Sequence, residues 1–143
     1  MGSGPTSLAL LEGAWVLERR ILHADGQEDR FEGETTFTRT GPRLLQDESG
    51  WLFPSRGAAP LRATRRYVWS REGDRIDIAF ADMRPFHSFT AGAEAPEATY
   101  LCPPDRYAVA YDFSALPVWK SVWTVEGPRK AYVMTNSFHR GAA

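Results

Sequence analysis

The sequence predicts an all-β fold, an antiparallel β-barrel of about eight to ten strands, with a short helical turn near its N-terminus. Three observations predict it. Turn signals punctuate the chain at short spacing: Asp25-Gly26, Thr40-Gly41-Pro42, Ser49-Gly50, Gly73-Asp74, Ala91-Gly92 and Gly127-Pro128. The segments between them are rich in aromatic and β-branched residues and lack helical periodicity. Their alternating faces mix large rings with Arg, Ser and Thr, whereas a sandwich core would be dry and aliphatic. Ring-rich walls with a few polar groups suit a barrel that encloses a small ligand.

The elements follow in order. Ser7-Leu8-Ala9-Leu10-Leu11-Glu12 is the one good candidate for a helical turn, placed to plug an end of the barrel. Strands are expected over 14–23, 28–38, 43–48, 62–71, 75–81, 85–90, 97–102, 106–113, 118–125 and 130–138. Period-two alternation puts Trp15, Leu17, Arg19 and Ile21 on one face of the first strand, and Phe31, Gly33, Thr35 and Phe37 on one face of the second. Arg65, Tyr67 and Trp69 share a further face, as do Trp119, Ser121, Trp123 and Val125. No repeat, low-complexity tract or composition shift marks a domain boundary. Residues 7–139 are therefore expected to form a single barrel domain, preceded by a tag-like, disordered start over 1–6 and followed by a disordered tail over 140–143.

Composition narrows the function. A net charge of -1 argues against a nucleic-acid binder working through bulk positive charge. No apolar run approaches the ~20 residues of a membrane span. Met1-Gly2-Ser3-Gly4 lacks the basic and apolar regions of a signal peptide, and the single cysteine, Cys102, fits a reducing compartment, so a cytoplasmic location is expected. The cations comprise 15 Arg against 2 Lys; a biased genome explains the excess, and only position can identify an anion-binding Arg.

Gly13-Ala14-Trp15 looks like the Gly-x-Trp start of the first strand in calycin-type barrels, the lipocalins and fatty-acid-binding proteins. A longer pattern adds to it: Gly13-x-Trp15-x-Leu17-x-Arg19-x-Ile21, Phe31-x-Gly33, Arg66-Tyr67-x-Trp69 and Phe86-His87-x-Phe89. It continues through Cys102-Pro103-Pro104-Asp105-x-Tyr107, Tyr111-x-Phe113 and Trp119-x-x-x-Trp123-x-Val125-x-Gly127-Pro128-x-Lys130-x-Tyr132. Together these resemble DUF6314, a family of uncharacterised small bacterial proteins, over about residues 8–139. The resemblance implies a calycin-like fold and brings no established activity, cofactor or catalytic residue. Two positions depart from the family pattern: Tyr100 stands where a second His is expected, and Asp82-Met83-Arg84 where Asp-Gly-Arg is common. In lipocalin-like barrels a basic residue near the last strand often packs over the first-strand Trp, and Arg129 or Lys130 suits that role against Trp15.

No motif announces a reaction. His23, His87 and His139 lie in separate segments without metal-ligand spacing, so no metal is expected. No cofactor is expected either; the one haem option would use His87 as axial ligand. There is no Gly-x-Ser-x-Gly elbow, and Cys102 before Pro103-Pro104 reads as a small buried hydrophobe. His87, Tyr107 and Asp105 are the candidates for acid–base chemistry, with Asp105 also suited to fixing its turn. The expected ligand-binding set is Arg19, Tyr67, Trp69, His87, Tyr107, Tyr111, Trp119, Trp123 and Lys130. Arg65 and Arg66 point to opposite faces; the family pattern marks Arg66, the shared ring face marks Arg65, and the choice stays open. These residues suggest a protein that binds a small, largely apolar molecule, anionic or neutral, whose polar end Arg19 with His87 or Lys130 would orient. The alternatives are a cofactor-independent cyclase or isomerase of a biosynthetic pathway using the same cavity, and a structural partner protein with a filled barrel. The expected partner is a small hydrophobic or amphipathic molecule, with no nucleic acid and no membrane span; a homodimer is left open.

Overall fold

The computed structural model describes residues 4–141. A 3-10 turn, Leu8–Leu11, leads into ten strands: β1 Gly13–His23, β2 Glu28–Thr40, β3 Arg43–Phe53, β4 Leu61–Glu72, β5 Arg75–Phe80, β6 Pro85–Thr90, β7 Glu97–Cys102, β8 Asp105–Ala115, β9 Val118–Glu126 and β10 Ala131–His139. They form one antiparallel sheet in the order β6-β5-β4-β3-β2-β1-β10-β9-β8-β7. Every neighbour except β1–β10 is a hairpin partner, and the β1–β10 ladder, with Leu17 opposite Phe138 and Arg19 opposite Asn136, wraps the meander into a nearly closed barrel. The two edges, β6 and β7, lie side by side without a ladder between them among the described residues. Rings fill that seam instead: Phe86 lies 5.2 Å from Tyr100 and Phe80 lies 5.5 Å from Tyr100.

The predicted strands are all present. The largest difference is in β3, which runs through Ser49-Gly50 to Phe53 although that dipeptide reads as a turn. Gly50 sits opposite Gly33 of β2. A Cβ on Gly33 would lie 2.8 Å from the Gly50 Cα, so the glycine pair permits a close backbone approach inside a continuous ladder. The Phe31 ring covers the space that a Gly50 side chain would take, since a Cβ there would meet its Cζ at 2.8 Å.

One end of the barrel is packed solid. Leu11, Trp15, Leu17, Phe37, Leu44, Ile76, Phe113 and Trp119 are fully buried there, and Trp119 stacks on Phe138 with centroids 3.8 Å apart. The 3-10 turn seals this end through the Trp15 indole N–H, which donates to the Leu11 carbonyl at 2.9 Å. Burying these rings supplies much of the folding free energy, about 1.5–3 kcal/mol for each large side chain.

Packing extends beyond 7–139 at both ends. Gly4 and Pro5 are buried, and the Gly92 N–H donates to the Pro5 carbonyl at 2.9 Å. Arg140 lies over the Trp15 ring, 3.6 Å from its centroid, and donates to the carbonyls of Ala14 and Glu12, each at 2.9 Å. The basic residue over the first-strand Trp is thus Arg140, which corrects the expectation for Arg129 or Lys130. Lys130 sits far from Trp15, at the start of β10, because the chain runs the length of the barrel between the two cations. The remaining expected start, Met1–Ser3, and the tail residues 142–143 lie outside the described residues. No described helix is long and apolar enough to cross a membrane.

Candidate functional site

The other end of the barrel is hollow. Above the Trp119 floor, the ladders align polar side chains across four strands, because Arg19 faces Asn136, Asn136 faces Ser121, and Ser121 faces Tyr111. Arg19 donates from Nη2 to Glu48 Oε1 at 2.9 Å and from Nε to Asn136 Oδ1 at 2.5 Å. Asn136 Nδ2 passes the connection to Ser121 Oγ at 3.0 Å. The guanidinium also lies 5.0 Å from the Phe31 ring centroid. A buried cation in this wall needs such partners, because an unpaired charge in a ring-lined interior is costly.

His87 and Tyr111 form a second polar pair in the same wall, Nε2 to hydroxyl, at 2.6 Å. Burial pushes His87 down to about 4, so the ring is neutral at pH 7. Burial also pushes the Tyr111 phenol well above its ordinary range, chiefly by desolvation. His87 Nδ1 and Trp119 Nε1 are buried without a hydrogen-bond partner among the described residues. A bulge between Ile78 and Ala79 of β5 shifts the register against β6, and Phe86 and His87 both border the cavity. Phe86 stacks on Trp123 at 5.0 Å and His87 meets the same indole edge-on at 5.0 Å.

The inner hollow has a volume of about 80 Å³. It shares Arg19, Glu48, Arg65, Tyr132 and Met134 with a mouth-side cleft of about 310 Å³ that reaches His23, Phe31, Leu52 and Ala63. Arg65, not Arg66, turns to this space. Its Nη1 donates to the Tyr67 hydroxyl at 3.2 Å, whereas Arg66 lies outside in an exposed pair with Asp47 at 2.7 Å. Desolvation raises the Tyr67 phenol, against the pull of Arg65.

Of the expected ligand-binding residues, Arg19, Tyr67, Trp69, His87, Tyr107, Tyr111, Trp119 and Trp123 line the hollow. Trp69 and Trp119 form its floor rather than its side wall, and the Trp69 indole donates to Gln46 Oε1 at 2.7 Å. Lys130 is not part of the lining; it donates to the Tyr107 hydroxyl at 2.9 Å from the rim and lies 3.5 Å from Asp105. Asp105 therefore sits behind Tyr107 and outside the cavity, at the start of β8. Cys102 is exposed. No group of three or more His, Cys, Asp or Glu suited to a metal occurs among the described residues.

Sequence reasoning did not select Glu48, Gln46, Asn136 or Arg65. A usable signal existed for Glu48: Arg19 within an apolar stripe demands a carboxylate, and Leu44, Gln46 and Glu48 alternate on the inward face of β3.

The family model for a family of unknown function, DUF6314, matches residues 11–140. The chain belongs to this family. No curated protein matches it. Among solved structures it is similar to the S-type phycobiliprotein lyase CPES from Guillardia theta, at a TM-score of 0.65 and 8% identity, covering 95% of this chain and 91% of that one. At that identity the likeness concerns the fold, and it agrees with the calycin-like barrel of this DUF6314 member.

Proposed function

We propose that this DUF6314 protein binds a small, largely apolar molecule inside the barrel. One observation carries the reading. The chain packs one end of the barrel solid with rings, yet leaves a ring-walled hollow at the other, crossed by a satisfied polar belt and open at its mouth. A barrel that needed only stability would fill that space, because each void forfeits contacts. Apolar walls with a few placed polar groups are the usual make-up of a ligand site.

The test uses the uncharged dye Nile red, followed by its emission, with wild type and with Met134→Trp, which fills the passage between hollow and mouth. Saturable one-to-one binding is expected in the wild type. The variant should lose it while keeping its near-ultraviolet circular dichroism. Wild-type protein that takes up no dye, and that carries no small molecule in native mass spectrometry, overturns the reading.

A second reading, a cofactor-independent cyclase or isomerase, is favoured by the 2.6 Å contact between His87 and Tyr111 in the cavity wall. The two groups are enclosed and hydrogen-bonded to each other, which gives a path for a proton to a confined substrate, and confinement itself contributes to rate by holding a reactive geometry. Here His87→Ala should abolish turnover of a substrate that the variant still binds; unchanged turnover would remove His87 from the chemistry.

A further inference from the structure

Resting on that binding reading, we infer that the ligand is an amphipathic monoanion that enters apolar end first and leaves its acid group on Arg65 in the mouth. The argument is a charge balance around the space. Arg19, the cation nearest the apolar floor, has no free charge to offer: Glu48 neutralises it, Asn136 takes its Nε, and Phe31 covers it. At the rim, His23 is paired with Asp29 at 2.8 Å, and Lys130 with Asp105.

Arg65 differs from all of these. It lines both the hollow and the cleft, donates to a neutral phenol, and makes no ion pair among the described residues. Glu48 sits directly opposite it on β3, but that carboxylate is committed to Arg19. Arg19, Arg65 and Glu48 together therefore leave one uncompensated positive charge at the mouth. A carboxylate, sulfonate or similar planar anion would match the guanidinium's fork of donors. The Tyr67 hydroxyl, already fixed by Arg65, stands beside that position.

Deeper in, the lining offers no unpaired charge to receive a second one, since Arg19 and Glu48 neutralise each other. Gln46, Ser121, Tyr111 and His87 are neutral, and Trp69, Trp119 and Trp123 are uncharged rings. An anionic group at the inner end would be buried without a counter-charge. The same asymmetry disfavours the reverse orientation. The ligand class is thus an alkyl or aryl chain with one acid group at one end.

The experiment titrates decanoate, decan-1-ol and decanedioate against the protein at pH 7.5, reading tryptophan emission, with wild type and Arg65→Gln. Decanoate should bind about tenfold tighter than either of the others, the size expected of one charged hydrogen-bonded contact. Arg65→Gln should bring decanoate down to the level of decanol and leave decanol unmoved. Added salt should weaken the decanoate of wild type and not of the variant. Equal binding of decanoate and decanol, a decanoate preference that survives Arg65→Gln, or tight binding of decanedioate would each overturn the inference while leaving the binding reading in place. Failure of all three to bind protein that takes up Nile red would overturn the inference alone, and failure of Nile red as well would overturn both.

Discussion

Arg19 and Glu48 meet at 2.9 Å inside the barrel, with side chains only 12% and 6% exposed, and they come from strands that are not neighbours. β2 lies between β1 and β3, and its Thr35 and Gly33 are small enough to let the two side chains meet across it. The pair fixes a polar belt within an apolar wall, a costly element that must be satisfied in full or not at all. Glu48→Ala should therefore destabilise the fold by about 3 kcal/mol, because it leaves a buried guanidinium without its counter-charge. Arg19→Met combined with Glu48→Leu should recover most of that loss. Chemical denaturation of both variants beside wild type checks this; a single variant as stable as wild type would show that cavity water serves Arg19 as well as Glu48 does.

His87 gives the fold a pH dependence of its own. Its folded value is about 4 against an ordinary 6.5, with burial as the cause. Between those values the unfolded chain takes up a proton that the folded barrel refuses, so stability is complete above pH 6.5 and falls as the pH drops towards 4. The loss amounts to roughly 3 kcal/mol by linkage. Carboxylates such as Asp29 and Asp77 are lowered from 3.8, so their contribution fades below this window. Wild type and His87→Phe should therefore differ in the slope of stability against pH between 6.5 and 4, and run parallel below it. Equal slopes would mean that His87 is more exposed to water than its 7% accessibility implies.

Much of the barrel was legible in the sequence, for identifiable reasons. Turn dipeptides and period-two alternation locate ten strands because both are local signals. The same alternation finds the ring wall, since Trp119, Ser121, Trp123 and Val125 must share a face wherever the sheet goes. What failed to be legible depends on which strands become neighbours across the barrel. Ser49-Gly50 reads as a turn until Gly33 is known to lie opposite it. Arg65 and Arg66 are indistinguishable until register places Tyr67 and Trp69 on the inner face. Lys130 and Arg140 are both cations of the last strand region, and only closure against β1 decides that Arg140 reaches Trp15.

Arg140 and Lys130 should accordingly respond differently to truncation. Arg140→Ala removes a cation stacked on Trp15 and hydrogen bonds to the backbone carbonyls of Leu10, Glu12 and Ala14 that cap the sealed end. Its exposure limits the loss to about 1–2 kcal/mol. Lys130→Ala removes rim contacts to Tyr107 and Asp105 and should leave stability nearly unchanged. Thermal denaturation compares the two, and an equal or larger loss in Lys130→Ala would contradict the assignment of the capping role.

Met83 carries the clearest backbone strain. It holds φ +74° in the β5–β6 connection, where the Met83 N–H donates to the Phe80 carbonyl at 2.8 Å and its side chain is 44% exposed. A left-handed backbone suits glycine, and a non-glycine residue there costs of the order of 1 kcal/mol. The residue is close to half exposed, so packing offsets only part of that cost. Met83→Gly should relieve it at the expense of a freer unfolded chain, for a net gain of about 0.5 kcal/mol. In a domain of this size that corresponds to a rise in melting temperature of about 1–2 °C. Met83→Ala serves as the control, since it removes the side chain and keeps the strained backbone; a rise of the same size in Met83→Ala would trace the effect to the exposed thioether and not to the dihedral angle.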